Sequence, residues 1–212
     1  MSAVRGKVCA VTGAGSGIGR ALALELARRG GRPVISDVDR DGLAATAAAI
    51  DGDAHQAVVD VADRHAVEAW AAAVAEHHGV VHQIYNNAGI AFSRSVLESE
   101  YEDYEQVLGV NLWGVIHGTK AFLPHVIASG DGHVVSISSV NGFLAQSRMS
   151  HYCASKFAVR GFSESLRSEM LRAGHRVGVT VGRASRRRED QHRRRGAGRS
   201  PQARVRADRG GS

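Results

Sequence analysis

The chain has 212 residues, 43% of them apolar and 23% charged, which is ordinary usage for one globular domain and excludes a fibrous or wholly disordered chain. No apolar run approaches the ~18 residues of a membrane-spanning helix. The net charge of +6 is unevenly placed: residues 1–181 hold 16 Lys and Arg against 18 acids, whereas residues 182–212 hold 11 Arg against 3 acids.

In chain order, strand-like runs occupy Val8–Thr12, Pro33–Ser36, Ala57–Val59, Val81–Tyr85, His133–Ile137 and Arg176–Val181. Several are continuously apolar, the pattern of parallel strands covered on both faces. Helical patterns fill the intervals at Gly17–Arg29, Arg40–Ile50, Arg64–His77, Glu102–Ile127 and His151–Leu171. The alternation predicts an α/β fold: a Rossmann-type doubly wound parallel sheet with helices on both faces, in which the pattern ends after the sixth strand. Ligands of such sheets sit outside the carboxyl ends of the strands, where strand order reverses. Residues 1–181 form the expected domain, and residues 182–212, without hydrophobic period, read as an Arg-rich disordered tail. The first strand begins with no basic-then-apolar leader before it, and Cys9 and Cys153 lie in apolar segments as reduced packing residues. A soluble, cytoplasmic protein is expected.

Thr12-Gly13-Ala14-Gly15-Ser16-Gly17-Ile18-Gly19 follows the first strand and opens the first helix. Its glycines allow a sharp turn and close approach to a pyrophosphate, which the helix amides would face. The segment Tyr152-Cys153-Ala154-Ser155-Lys156 sets a phenol and an ammonium four residues apart on one helix face. A phenol with an unperturbed pKa near ~10 is a poor base at neutral pH. A nearby ammonium stabilises the phenolate, so that the phenol can exchange a proton with an alcohol or alkoxide.

The spacing Thr-Gly-x-x-x-Gly-Ile-Gly, with Asn86-Asn87-Ala88-Gly89 and Tyr152-x-x-x-Lys156, resembles the short-chain dehydrogenase/reductase family from Lys7 to about Val181. The resemblance implies an NAD(P)-binding domain and a hydride transfer between the cofactor and a secondary alcohol or ketone. It assigns cofactor contacts to Gly13, Ser16, Gly17, Ile18, Gly19, Asp37, Asp60, Val61, Asn87, Ala88, Gly89, Tyr152 and Lys156. Asp37, at the end of the second strand, would accept bonds from the adenosine ribose and repel a 2′-phosphate, favouring NAD(H) over NADP(H). The competing reading of Asp37 as a helix N-cap is weakened by Asp39, which is better placed to cap. For Asn86 a structural role and a ligand contact stay open.

Asp60-Val61 is expected to end the third strand. The catalytic set implied by the family is Asn111, Ser139, Tyr152 and Lys156. Ser139, thirteen residues before the tyrosine, is selected over Ser138 to orient the substrate carbonyl. Asn111 is expected in a kinked helix whose backbone holds a relay water. A homodimer or homotetramer follows from the family, with the Phe157–Phe162 helix face toward a second subunit.

Other residues carry blander readings. His77, His78 and His82 cluster without ligand spacing and read as a solvated helix end, so no metal is expected. Trp70 and Trp113 read as core or interface residues, and His151 as either a substrate contact or a surface residue.

After the sixth strand the family continues with Pro-Gly and a threonine, whereas this chain has Gly182-Arg183-Ala184-Ser185 and arginine runs. Allowed codons for Ala184–Arg193, read one base later, can give His-Pro-Gly-Gly-Val-Lys-Thr. A shifted frame near Val181–Arg183 is therefore the expectation, and a chain so altered would be weakly active or a pseudoenzyme. The alternative from another class is nucleic-acid binding through the basic tail, which lacks aromatic stacking residues and a recognition module.

Overall fold

The computed structural model describes residues 4–50 and 54–184. The readings of a disordered tail and a shifted frame concern residues that, from 185 onward, lie outside the described ones. Among the described residues, no helix is long and apolar enough to cross a membrane.

The strands are β1 (Val8–Thr12), β2 (Arg32–Asp37), β3 (Gln56–Val58), β4 (Gln83–Asn86), β5 (Gly132–Ser139) and β6 (Val177–Ala184). They pair in the order β3-β2-β1-β4-β5-β6, every neighbour parallel. The helices are α1 (Gly17–Arg28), α2 (Arg40–Ala48), α3 (Arg64–His78), α4 (Tyr101–Leu108), α5 (Gly114–Ala128) and α6 (Ser150–Arg172). This is the doubly wound sheet that the alternating pattern predicts.

Two cores explain the continuously apolar strands. In β1, fully buried throughout, Val8 and Ala10 join a cluster containing Trp70 of α3, Phe122 and Val126 of α5, and Leu166 and Met170 of α6. Cys9 and Val11 face the other way, toward Ala23 and Leu26 of α1 and Leu43 of α2. The period of two thus delivers apolar groups to both layers. The Trp70 and Phe122 rings meet edge-on at 4.9 Å, so Trp70 is core, whereas Trp113 is 53% exposed. Both cysteines are buried and free.

Local chemistry sets the element ends. Asp39 caps α2 by accepting from Gly42 N–H at 3.0 Å, as its position indicates, and Asp63 caps α3 by accepting from His65 and Ala66. Gly79 closes α3 in the left-handed region at φ 71°, where a side chain would be strained.

Three boundaries differ from the sequence pattern. The edge strand β3 stops at Val58, so Asp60 and Val61 stand in the turn beyond it rather than ending it. β6 runs to Ala184, with Gly182, Arg183 and Ala184 opposite Ile137, Ser138 and Ser139. Backbone pairing with β5 continues there although the apolar side-chain signal has ceased. The single helix expected over Glu102–Ile127 is interrupted by a π turn at Gly109–Trp113.

Candidate active site

Order reverses between β1 and β4, and the glycine turn sits at the carboxyl end of β1 beside that crevice. Gly13 (φ 66°) and Gly17 (φ 52°) occupy the left-handed region. Gly19 packs so closely on the Gly13 carbonyl that no Cβ fits, and a Cβ on Gly13 would lie 2.7 Å from Ala88 Cα. Ser16 has extended N-cap geometry, but its hydroxyl caps nothing, which leaves the amino end of α1 open to an anion. Ile18 is 49% exposed beside it.

Several partners hold this turn, and two of them, Arg20 and Thr46, carry no motif in the sequence. Thr12 Oγ1 accepts from the N–H groups of Asn87 (3.0 Å) and Ala88 (3.1 Å). Asn87 Nδ2 donates to the carbonyls of Thr12 and Gly13. From α1, the Arg20 guanidinium donates to the Gly15 carbonyl and to Thr46 Oγ1, and Thr46 Oγ1 donates to the Ala14 carbonyl at 2.8 Å. Thr12, directly before the glycines, and Asn87, in Asn86-Asn87-Ala88-Gly89, are marked by their local motifs. Arg20 and Thr46 come together through tertiary packing.

Asp37 ends β2 facing the turn. Its Oδ2 accepts from Gly15 N–H at 2.7 Å and its Oδ1 from Asp39 N–H at 3.0 Å. Each carboxylate oxygen keeps a further lone pair for a ribose hydroxyl. Asp60, exposed, accepts from Ala62 N–H at 2.9 Å, and Val61 is buried against Gly114. Asn86 points away from the cleft: it is buried, and its Nδ2 donates to Thr119 Oγ1 of α5 at 3.0 Å. That geometry resolves the open reading in favour of structure.

Asn111 lies fully buried in the π turn. Its Oδ1 accepts from Ile90 N–H at 2.8 Å, and its Nδ2 donates to the Ile90 carbonyl at 2.9 Å and to Ser155 Oγ at 3.2 Å. The side chain thereby pins the irregular helix to the loop after β4 and to α6. A Cβ on Gly89 would stand 3.2 Å from Asn111 Oδ1 and 3.5 Å from Lys156 Nζ, so this glycine admits the chain between the two groups.

On α6, Lys156 is 4% exposed, donates from Nζ to the Ile137 carbonyl at 2.9 Å, and places Nζ 5.6 Å from the centre of the Tyr152 ring. Burial brings its pKa down from 10.5 to about 8. At neutral pH the ammonium is still the major form. The two serines at the end of β5 differ: Ser138 donates its hydroxyl to the Lys156 carbonyl at 3.0 Å, whereas Ser139 Oγ accepts from Asn141 N–H at 3.2 Å and keeps its proton to donate.

His151 is neither on the surface nor open to the cleft. It is fully buried against Phe92, with ring centres 4.4 Å apart. The arrangement therefore brings Gly89, Asn111, Ser139, Tyr152 and Lys156 to the carboxyl ends of β4 and β5, next to an uncapped glycine turn. Uncapped amides, an acid with spare lone pairs and an open-sided Gly17 fit a dinucleotide.

A family profile described as short chain dehydrogenase matches residues 7–183. SadH of Mycobacterium tuberculosis, named an oxidoreductase, is 57% identical over 183 residues, which is 85% of this chain and 66% of SadH. Estradiol 17-beta-dehydrogenase 11 of Mus musculus is 35% identical over 179 residues, covering 83% of this chain and 60% of that protein. The chain thus spans 66% and 60% of the length of these two relatives. A crystal structure of a Burkholderia phymatum short chain dehydrogenase/reductase in complex with NAD superposes with a TM-score of 0.83 at 37% identity, over 85% of this chain and 66% of that one. With the fold, the glycine turn and a match from Lys7 to Arg183 in agreement, the chain belongs to the short chain dehydrogenase family.

Proposed function

We infer that this oxidoreductase transfers a hydride between NAD(H) and a secondary alcohol or ketone, with Tyr152 as the general acid/base. The observation that carries the reading is the buried Lys156 ammonium 5.6 Å from the Tyr152 ring, at the ligand-bearing end of the sheet. When bound, the nicotinamide supplies or accepts the hydride at the carbinol carbon. The chain's own groups handle the proton and the orientation. Tyr152 takes the hydroxyl proton as the alcohol is oxidised and returns it to the oxygen in reduction. Lys156 stabilises the phenolate electrostatically. Ser139 directs its free O–H at the substrate oxygen, favouring the partial negative charge that develops there. Asn111 keeps the π turn, and with it the lysine side of the cleft, in place.

The dinucleotide would lie across the crevice, with its pyrophosphate over Gly13, Ser16, Gly17, Ile18 and Gly19 and its adenosine ribose at Asp37. Asp60, Val61, Asn87, Ala88 and Gly89 line the intervening cleft. The carboxylate of Asp37 supports NAD(H) over NADP(H), because a 2′-phosphate would bring like charge against it. Fluorescence titration with NADH and NADPH, followed by a panel of secondary alcohols with NAD, tests the reading. Saturable NADH binding and alcohol-dependent formation of NADH are expected; no binding at millimolar NADH overturns it.

A further inference from the structure

The opposite end of the sheet holds a cluster that the catalytic reading does not use. His77 and His78 close α3, and His55 stands at the amino end of the edge strand β3. The ring centres are 5.0 Å apart for His55 and His77, 5.6 Å for His55 and His78, and 4.6 Å for His77 and His78. Each imidazole offers one nitrogen, and the three nitrogens lie within 4.8 Å of one another. His82, which sequence proximity groups with them, is committed elsewhere: its Nδ1 accepts from Val8 N–H at 3.1 Å. His55 takes its place, brought in by the fold from beyond α2.

Two further observations favour a ligand. His78 Nε2 is buried with no hydrogen-bond partner among the described residues, a position that loses hydration without a compensating bond. The site also faces the carboxyl end of α3, where the last carbonyls carry partial negative charge. Arg32 is the opposing cation, and its exposed guanidinium is turned to the Gly6 carbonyl at 3.4 Å.

We propose that His55, His77 and His78 form a three-histidine site for a zinc-class divalent cation, with solvent as the fourth ligand. Imidazole donors select zinc, copper or nickel over magnesium and calcium. Zinc–nitrogen bonds of ~2.0–2.1 Å set tetrahedral nitrogens about 3.4 Å apart. Rotation of the exposed His77 and the half-buried His55 and His78 draws them to that spacing. The role is structural rather than catalytic. Asp37 and Ser139 end parallel strands and Lys156 reaches that same end from α6, whereas His55 precedes β3 at the amino end. A bound cation would tie the start of a three-residue edge strand to α3.

The test uses the untagged full chain, stripped with chelator and titrated with Zn²⁺ by calorimetry and with Co²⁺ by visible absorption. One saturable site with tetrahedral cobalt bands is expected, together with a rise in melting temperature on zinc addition and no response to Mg²⁺. His77→Gln, at an exposed position that leaves packing intact, should weaken binding at least about tenfold, as should His78→Gln. His65→Gln, on the exposed first turn of α3, should leave it unchanged. NADH affinity should stay within twofold in His77→Gln, which separates this site from the nucleotide reading. No saturable zinc binding up to ~0.1 mM, binding unaffected by His77→Gln and His78→Gln, or loss in His65→Gln would each overturn the proposal.

Discussion

Asn87 Nδ2 donates to the Thr12 carbonyl at 3.0 Å, and Thr12 Oγ1 accepts from the Asn87 N–H at 3.0 Å. The pair is reciprocal and crosses the line at which strand order reverses. One side chain from each of β1 and the segment after β4 thus fixes the width of the crevice that a dinucleotide must enter.

Asn87→Ala removes the amide that satisfies the Thr12 and Gly13 carbonyls. We expect a loss of ~1–3 kcal/mol in stability, from two backbone carbonyls that lose this donor. NADH affinity should fall at least tenfold as the glycine turn loosens. Urea unfolding and fluorescence titration measure the two effects, and an unchanged Kd would remove Asn87 from the cofactor site.

On the proposed mechanism Tyr152→Phe deletes the proton-transfer hydroxyl and leaves the glycine turn and Asp37 as they are. Turnover should drop by ~10²–10⁴ or more, with NADH affinity within a few-fold. Steady-state kinetics beside a binding titration separates these outcomes. Retained turnover would sink the assignment of Tyr152.

Asp37→Ala should narrow the preference for NAD(H) over NADP(H) by relieving repulsion of the 2′-phosphate. The same change removes the acceptor for the Gly15 and Asp39 N–H groups, so NADH binding should weaken as well. Ratios of kcat/KM for the two cofactors report the first effect. A wild-type preference for NADP(H) contradicts the role given to the carboxylate.

Lys156 makes stability depend on pH. Unfolded, the amine holds its proton up to about 10.5; folded and buried, it gives the proton up at about 8. Between these values the unfolded chain binds more protons, so stability rises with pH, by about 3 kcal/mol in full at 1.36 kcal/mol per pKa unit. Below pH 8 the whole penalty is present, and above 10.5 it has gone. Cys9, whose buried thiol is pushed up to about 12, acts in the opposite sense once unfolded thiols ionise near 9. The difference between wild type and Lys156→Met cancels that contribution. A wild-type-minus-Met difference that stays flat from pH 8 to 10 is the disproving result.

The legible part of the molecule was local. Apolar runs mark β1 and the middle of β2 because both faces of each are covered, and the glycine turn announces itself by residues that only a tight turn requires. Asp39 was readable as a cap because a carboxylate three residues before a backbone N–H has one obvious use.

What escaped the sequence depends on partners far along the chain. A π turn has no periodic signature. Here it accompanies the bonds between Asn111 and the backbone of Ile90. His151 looked polar enough for the surface, yet α4 and Phe92 enclose it. His55 and His78 are joined by the fold alone. The end of β6 was placed too early because side chains stop being apolar at Gly182 while the backbone goes on pairing.

The strand order also has a history in synthesis. Of the six described strands β1 is made before the others, yet it belongs in the middle of the sheet, between β2 and β4. β2 and β3 extend one flank as they emerge, and the other flank of β1 stays open until β4 has been made. Lys7, just ahead of β1, waits longer still for Asp131, the carboxylate it meets at 2.6 Å immediately before β5. From β4 onward each new strand joins the free side of the one before it. The nucleotide crevice is therefore the seam between two directions of growth, and the half-built protein carries it as an uncovered edge.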